Sequence, residues 1–262
     1  MADASSNRIA NHVLAALPFL EWRRLEPHLE LVALPTGAML YESGVVLQHV
    51  YFPSTAVVSL VSSMQDGASA EVAVVGSEGI VGVCAFMGGG HALSSAVVQS
   101  AGHALRMGAR SISEHANRSQ ALLQQLLSYT QALFTHMAQT SACNRHHALD
   151  QQLCRWLLLY LDRRRGTDIV VTHERIADML GVRREGVTGA ALKLQKAGLI
   201  QYRRGRIAIL DRAGLEERSC ECYAVVRRAY DRLLRDAGSR RLASDGRVRA
   251  SISPIASMLA TA

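Results

Sequence analysis

The chain has little of what membrane insertion, secretion or catalysis requires. None of its 262 residues falls in an apolar run near the ~18 residues that a membrane-spanning helix needs. The opening stretch MADASSNRIA lacks a basic segment followed by an apolar one, so no secretory leader is expected. Cysteine is scarce, with five residues and no disulfide-like spacing, which points to a reducing, cytoplasmic setting. No GxxxxGKS or GxxxxGKT phosphate loop appears, and no strand–GxGxxG–helix unit. No His-x-His pair, Ser/His/Asp set or paired carboxylates can be picked out. The reading is therefore not an enzyme, and the sequence names no cofactor.

What is present is unevenly placed charge. Residues 1–150 carry a net −3, residues 151–210 a net +7 and residues 211–262 a net +3. A polyanion would bind where the positive charge gathers.

That basic segment contains the most informative stretch, from Thr172 to Leu210. Thr172 is a candidate N-cap. Ile176, Ala177 and Leu180 give a short helix one apolar face, and Gly181 supplies the positive φ of a tight turn. Val187, Ala190 and Leu194 continue the pattern through a second helix. This is the spacing of a helix-turn-helix. Arg183, Arg184, Glu185, Thr188 and Lys193 lie on the outward face of the second helix, where such side chains read base edges in the major groove. Ile200–Arg203 and Arg206–Leu210 then form a predicted hairpin, a wing whose Arg203, Arg204 and Arg206 face phosphate. A plain helical hairpin with a solvated charged face is the competing reading, and the attached basic hairpin argues against it.

Upstream, residues 7–30 read as helical, punctuated by Pro18 and Pro27. From Leu31 the period shortens into seven or eight runs rich in Val and Tyr, with a hairpin signal at Asp66-Gly67. Even spacing of this kind predicts a β-roll or jelly roll. After Ser111 the period becomes helical. Leu123, Leu126, Thr130, Leu133, Met137, Thr140, Asn144 and His147 recur in alternating steps of three and four, which predicts the seam of a parallel dimer helix. A two-fold dimer would set two recognition helices roughly 34 Å apart, one turn of double-stranded DNA. A further helix over 148–163 ends at Arg163, Arg164, Arg165 and Gly166, within reach of phosphate. Residues 212–236 read as one or two more helices.

The expected division is a helical segment over 1–30, a sensor roll over 31–116 and a dimerisation helix over 117–147. A winged helix-turn-helix over 148–214, a C-terminal helix over 215–237 and a disordered tail over 238–262 complete it. The fold class is α+β.

Cys143, His146 and His147 lie together on the predicted dimer helix, and Cys143 and His147 are four residues apart, a spacing that permits a shared metal. Seam packing is the simpler expectation. Cys220 and Cys222 look like a chelating pair, but positions i and i+2 of a helix point about 200° apart. Both are read as structural unless the backbone there is irregular, so no metal site is expected.

The β-roll, long helix and winged helix-turn-helix together resemble the Crp/Fnr family of bacterial transcription regulators over about residues 10–236. The stretches LPTGAMLYESG, HVYFPSTAVVSLV, VGSEGIVGV and ACNRHHALDQQLCRWLL resemble one branch of it. The resemblance implies a cyclic-nucleotide-binding-like roll whose effector pocket lies near the dimer helix and controls the DNA-binding units. Cyclic-nucleotide binders carry a Gly-Glu-Leu stretch and an Arg-Ser pair. Here Gly82-Val83-Cys84 and Ser94-Ser95 stand in those places, so the carboxylate and guanidinium that hold the nucleotide are missing. Gly82, Val83, Ser94 and Ser95 thus mark an altered pocket, for a small-molecule effector other than cyclic AMP. An iron–sulfur cluster on N-terminal cysteines is not implied, because the first cysteine is Cys84. In the recognition helix Arg184 and Glu185 match the family, whereas Gly189 stands where a second Arg often lies. The acidic roll is a candidate RNA-polymerase contact, although no motif marks one. The alternative function is a ligand- or heme-sensing protein acting through protein partners with only weak nonspecific DNA binding. His91, His103 and His136 are heme candidates by composition alone.

Overall fold

The computed structural model describes residues 10–164 and 166–233. The expected tail over 238–262 lies outside the described residues, as does Arg165. Two short helices come first, α1 (His12–Ala15) and α2 (Phe19–Leu25). Buried Val13, Leu14, Leu17, Trp22 and Leu25 anchor them. Asn11 caps α1 by accepting from the Leu14 N–H, while its amide donates to the carbonyls of Pro53 and Gly79.

The roll has seven strands: β1 (Glu30–Leu34), β2 (Met39–Tyr41), β3 (His49–Pro53), β4 (Val57–Ser63), β5 (Ser69–Val75), β6 (Ser95–Ser100) and β7 (Gly102–Gly108). They form two antiparallel sheets, in the orders β1-β7-β3 and β2-β6-β4-β5. Val50, Phe52, Val58, Val98 and Leu105 fill the space between them. Asp66-Gly67 turns the β4–β5 hairpin, with Gly67 at φ +86° and the Asp66 carboxylate accepting from Ala68.

Helix α3 (Ala109–Arg118) leads into the long helix α4 (Gln120–His146). Half of the expected seam positions are covered by the chain itself. Leu126, Thr130, Leu133 and Thr140 are buried within the chain itself. Thr140 accepts a hydrogen bond from buried Arg155 at 3.0 Å, so its polarity serves an intrachain contact rather than a pairing register. Outward faces lie one residue further on, at Gln124, Leu127, Gln131, Phe134, Ala138, Ser141 and Arg145, all exposed or nearly so. This stripe keeps the same alternating steps of three and four. Gly79 leaves room for the Tyr129 ring of α4, since a Cβ there would fall 2.3 Å from the phenol oxygen.

Helix α5 (Leu149–Leu161) is almost wholly buried and joins the roll to the C-terminal unit. Trp156 donates to the Glu71 carboxylate of β5 at 3.0 Å, and Ser59 of β4 donates to its other oxygen. Arg163, expected near phosphate, is instead buried and bonded to Glu78 at 2.6 Å and to the Leu159 carbonyl. Arg164 donates to the Asp168 carbonyl. The Arg163 guanidinium is therefore taken up by the joint between roll and C-terminal unit, whereas Arg164 is half-buried and bonds within the C-terminal unit.

Burial pushes the Glu71 carboxyl up to about 7, against a usual value of 4.5, despite the pull of Ser59, Arg155 and Trp156. As pH rises past the usual value, the unfolded chain loses this proton first and the folded chain keeps it. Stability from Glu71 is therefore full below that value, is lost up to about pH 7 and is flat above it. The loss comes to about 3 kcal/mol across the window. Glu71→Gln should remove this slope, read as the wild-type minus variant difference in urea denaturation from pH 4.5 to 7.5. Parallel curves would mean that the carboxyl titrates alike in both states.

Candidate nucleic-acid interface

The C-terminal unit begins with β8 (Asp168–Val170), followed by α6 (His173–Leu180), α7 (Arg184–Lys196), β9 (Ile200–Arg203) and β10 (Arg206–Ile209). Thr172 caps α6, its hydroxyl accepting from the Arg175 N–H at 3.2 Å. Gly181 ends α6 at φ +64°, the left-handed turn expected between the two helices. Ile176, Ala177, Leu180, Val187, Ala190 and Leu194 are buried together.

This packing leaves one face of α7 in solvent. Arg183, Arg184, Glu185 and Lys193 are exposed. Arg184 sits 3.8 Å from Glu174 across the turn, with both side chains about two-thirds exposed. Surface pairs of this kind are worth little and leave the guanidinium available. Thr188 is half-buried. Its hydroxyl donates to the Arg184 carbonyl and lies 3.0 Å from Nδ1 of His173. Desolvation, then Arg184, holds the His173 imidazole below its usual value, and the ring stacks on Tyr202 of β9 at 4.0 Å between centroids. Thr188 thus braces α7 against α6 and the wing.

The two glycines of α7 differ. A Cβ on Gly186 would meet Leu149 of α5 at 2.8 Å, whereas Gly189 opens on free space. Helix packing accounts for Gly186 without any approach to a ligand.

The wing has the expected hairpin, with Arg206 opposite Arg203 and Ile209 opposite Ile200. Arg204 (φ +49°) and Gly205 (φ +75°) make its tight turn. Strand β8 adds a third strand along β10 that sequence reading did not anticipate, because three residues are too few to carry a period. Arg203, Arg204 and Arg206 are exposed, and Arg206 also reaches Asp168 at 3.2 Å.

In the roll, Gly82, Val83 and Ser94 line one small cavity between the β-sheet and α4, with Tyr41, Leu133 and Met137. Its lining carries no charged side chain, and its volume is about 30 Å³. That is room for a water and far below the ~300 Å³ of a typical ligand site. Ser95 is directed elsewhere, its hydroxyl accepting from the Ser43 N–H. The three heme candidates do not converge. His91 bonds its neighbour Gly89, His103 is exposed on β7, and His136 is buried beside Tyr230. Among the described residues, the one cluster of His, Cys and acidic side chains close enough to share an ion comprises Cys143, His147, Cys220 and Cys222.

Comparison with known proteins places both halves. Residues 31–119 match the model of the cyclic nucleotide-binding domain, and residues 151–218 that of the Crp-like helix-turn-helix domain. No curated protein matches the chain's sequence. Its fold is similar to that of FixK2 from Bradyrhizobium japonicum, with a TM-score of 0.62, 16% identity and coverage of 73% of this chain and 98% of that one. It is similar also to TTHB099, a CRP-family transcriptional regulator of Thermus thermophilus, with a TM-score of 0.60, 22% identity and coverage of 72% and 96%. TTHA1359, a CRP/FNR-family regulator from the same organism, has a TM-score of 0.60, 20% identity and coverage of 72% and 98%. A cyclic nucleotide-binding-type roll, a long helix and a Crp-like helix-turn-helix in this order make the chain a member of the Crp/Fnr family of transcription regulators.

Proposed function

We propose that the chain regulates transcription as a homodimer on a pseudo-palindromic operator, under control of a signal received at the roll. The exposed charged face of α7 carries this reading. Arg183 at the N-cap and Arg184, Glu185 and Lys193 on the helix are exposed, opposite a face that is buried. Arg203, Arg204 and Arg206 are exposed on the β9–β10 wing, where guanidinium groups suit phosphate, and Thr188 braces the helix. The stripe through Leu127 and Phe134 on α4 supports pairing, since these two large apolar side chains are 49% and 48% exposed. The cavity at Gly82, Val83 and Ser94 supports control by something other than a cyclic nucleotide, because it offers neither charge nor space for one.

Arg184→Ala should cost about 1–3 kcal/mol and relax preference at one base position. Titration of variant and wild type against duplexes differing at single positions reads this out. An equal loss on every duplex would make Arg184 a phosphate contact. Affinity measured over a salt series tests the broader reading. Specific regulation requires a large ratio between chosen and random duplexes, whereas a steep salt slope without any such ratio would leave only nonspecific binding.

A further inference from the structure

Three of the five cysteines are buried against one another rather than in the main core. Cys143, Cys220 and Cys222 form a separate cluster. Cys143 lies in the last turn of α4, and His147 is the residue that caps it. Cys220 and Cys222 follow α8 (Arg212–Arg218), at the start of the final helix, α9, over 221–233.

The objection that positions i and i+2 diverge on a helix does not apply here. Cys220 precedes the helix. Its carbonyl accepts from the Tyr223 N–H, as the carbonyl of a residue at a helix N-cap does, and its sulfur lies within 4.8 Å of the Cys222 sulfur. An N-cap side chain folds back over the first turn, so the two thiols converge.

The distances match a coordination shell. Cys143 and Cys220 sulfurs are 3.5 Å apart, and the Cys222 sulfur is 3.6 Å from Nδ1 of His147. A tetrahedral ion with Zn–S near 2.3 Å and Zn–N near 2.05 Å spaces its ligand atoms about 3.6–3.8 Å apart. All four ligand atoms lie within 4.8 Å of one another, so the longest edge needs to close by about 1 Å. On the far side of the ring, Nε2 of His147 meets the Glu221 carboxylate at 3.3 Å. That contact fixes the proton on Nε2 and turns the Nδ1 lone pair towards the thiols, the arrangement that orients a ligating imidazole.

We propose that Cys143, His147, Cys220 and Cys222 form a Cys3His site for a thiophilic divalent cation of the zinc class, with Glu221 positioning His147. All four ligands lie outside the stretches matched by the two domain models. One ligand pair comes just before the DNA-binding unit and the other just after it. An ion bound here closes that whole unit into a loop and pins both its ends to the base of the long helix.

The full-length chain, purified anaerobically and stripped of metal, would be titrated with cobalt(II). The expected result is one cobalt per chain with the visible and thiolate charge-transfer absorption of a tetrahedral cobalt–thiolate site, displaced by zinc. Cys143→Ser and Cys220→Ser should abolish this absorption, and Cys154→Ala should keep it. If the cysteine variants do not fold, His147→Asn at the half-buried end of α4 tests the same shell. Glu221→Gln should weaken zinc about 10- to 100-fold. Protein with all five thiols free after denaturation and no cobalt–thiolate absorption overturns the proposal. A Cys143–Cys220 disulfide formed in place of metal binding overturns it too, and so do cobalt bands that persist in Cys143→Ser.

Discussion

Leu127→Glu combined with Phe134→Glu should convert the protein to a monomer and lower its affinity for a full two-fold site by about 10²- to 10⁴-fold. Both side chains are about half exposed on α4, seven residues apart, and Phe134 also edges the roll cavity. Apolar side chains of this size at heptad spacing call for a facing helix. Opposed carboxylates at their positions would meet across the two-fold axis and repel. Loss of pairing removes the linkage between two half-site contacts, and with it the gain that a second tethered contact supplies. Sedimentation equilibrium reads the oligomeric state, and binding to a full site against a half-site reads the affinity. The folded monomer should survive, because Leu122, Leu126, Tyr129 and Leu133 keep α4 on its own roll. A double variant that remains dimeric would move the interface off this stripe.

Arg163→Met should cost about 3–5 kcal/mol of stability. The side chain is 3% exposed and its partner Glu78 is 11% exposed, with 2.6 Å between nitrogen and oxygen. The Arg163 guanidinium also lies 5.1 Å from the Tyr230 ring centroid. Met fills much of the volume yet leaves the Glu78 carboxylate without its counter-charge. The Gly76 N–H still reaches that carboxylate, but one amide cannot replace a guanidinium. Adding Glu78→Gln to Arg163→Met should recover a large part of the loss, since the stranded charge is then gone. Urea denaturation measures both. A loss below about 1 kcal/mol in the single variant would mean that water screens the pair as it does a surface one.

Much of this was legible in the sequence. The helix-turn-helix depends on local chemistry. A Thr cap, a left-handed Gly181 and an apolar face within eight residues specify it without reference to the rest of the chain. The roll was legible from even strand spacing, and Asp66-Gly67 marked its hairpin. Four of the eight predicted seam positions are already buried in the chain itself, and the reason is physical. Helix α4 carries two apolar stripes, one towards the roll through Leu126 and Leu133, the other outward through Leu127 and Phe134. Both keep the same steps of three and four, so periodicity alone could not tell which was already covered. Arg163 read as a surface cation because its partner Glu78 lies on a distant loop of the roll. The thiol–imidazole cluster was hidden for a similar reason. Cys143 and Cys220 are far apart in sequence, and the irregular backbone at Cys220 shows only when α8 and α9 are placed. Half of the signal was nevertheless present, in the four-residue spacing of Cys143 and His147.

Selection of random duplex DNA by the purified protein, at near-physiological salt and without added ligand, is the most direct test of regulation through α7. Enrichment of a two-fold symmetric sequence with half-sites one helical turn apart is the expected result, and Arg184→Ala should lose one position of that sequence. Absence of any enriched sequence, both in wild type alone and after addition of candidate effectors, with binding that only tracks salt, would contradict operator recognition by this helix.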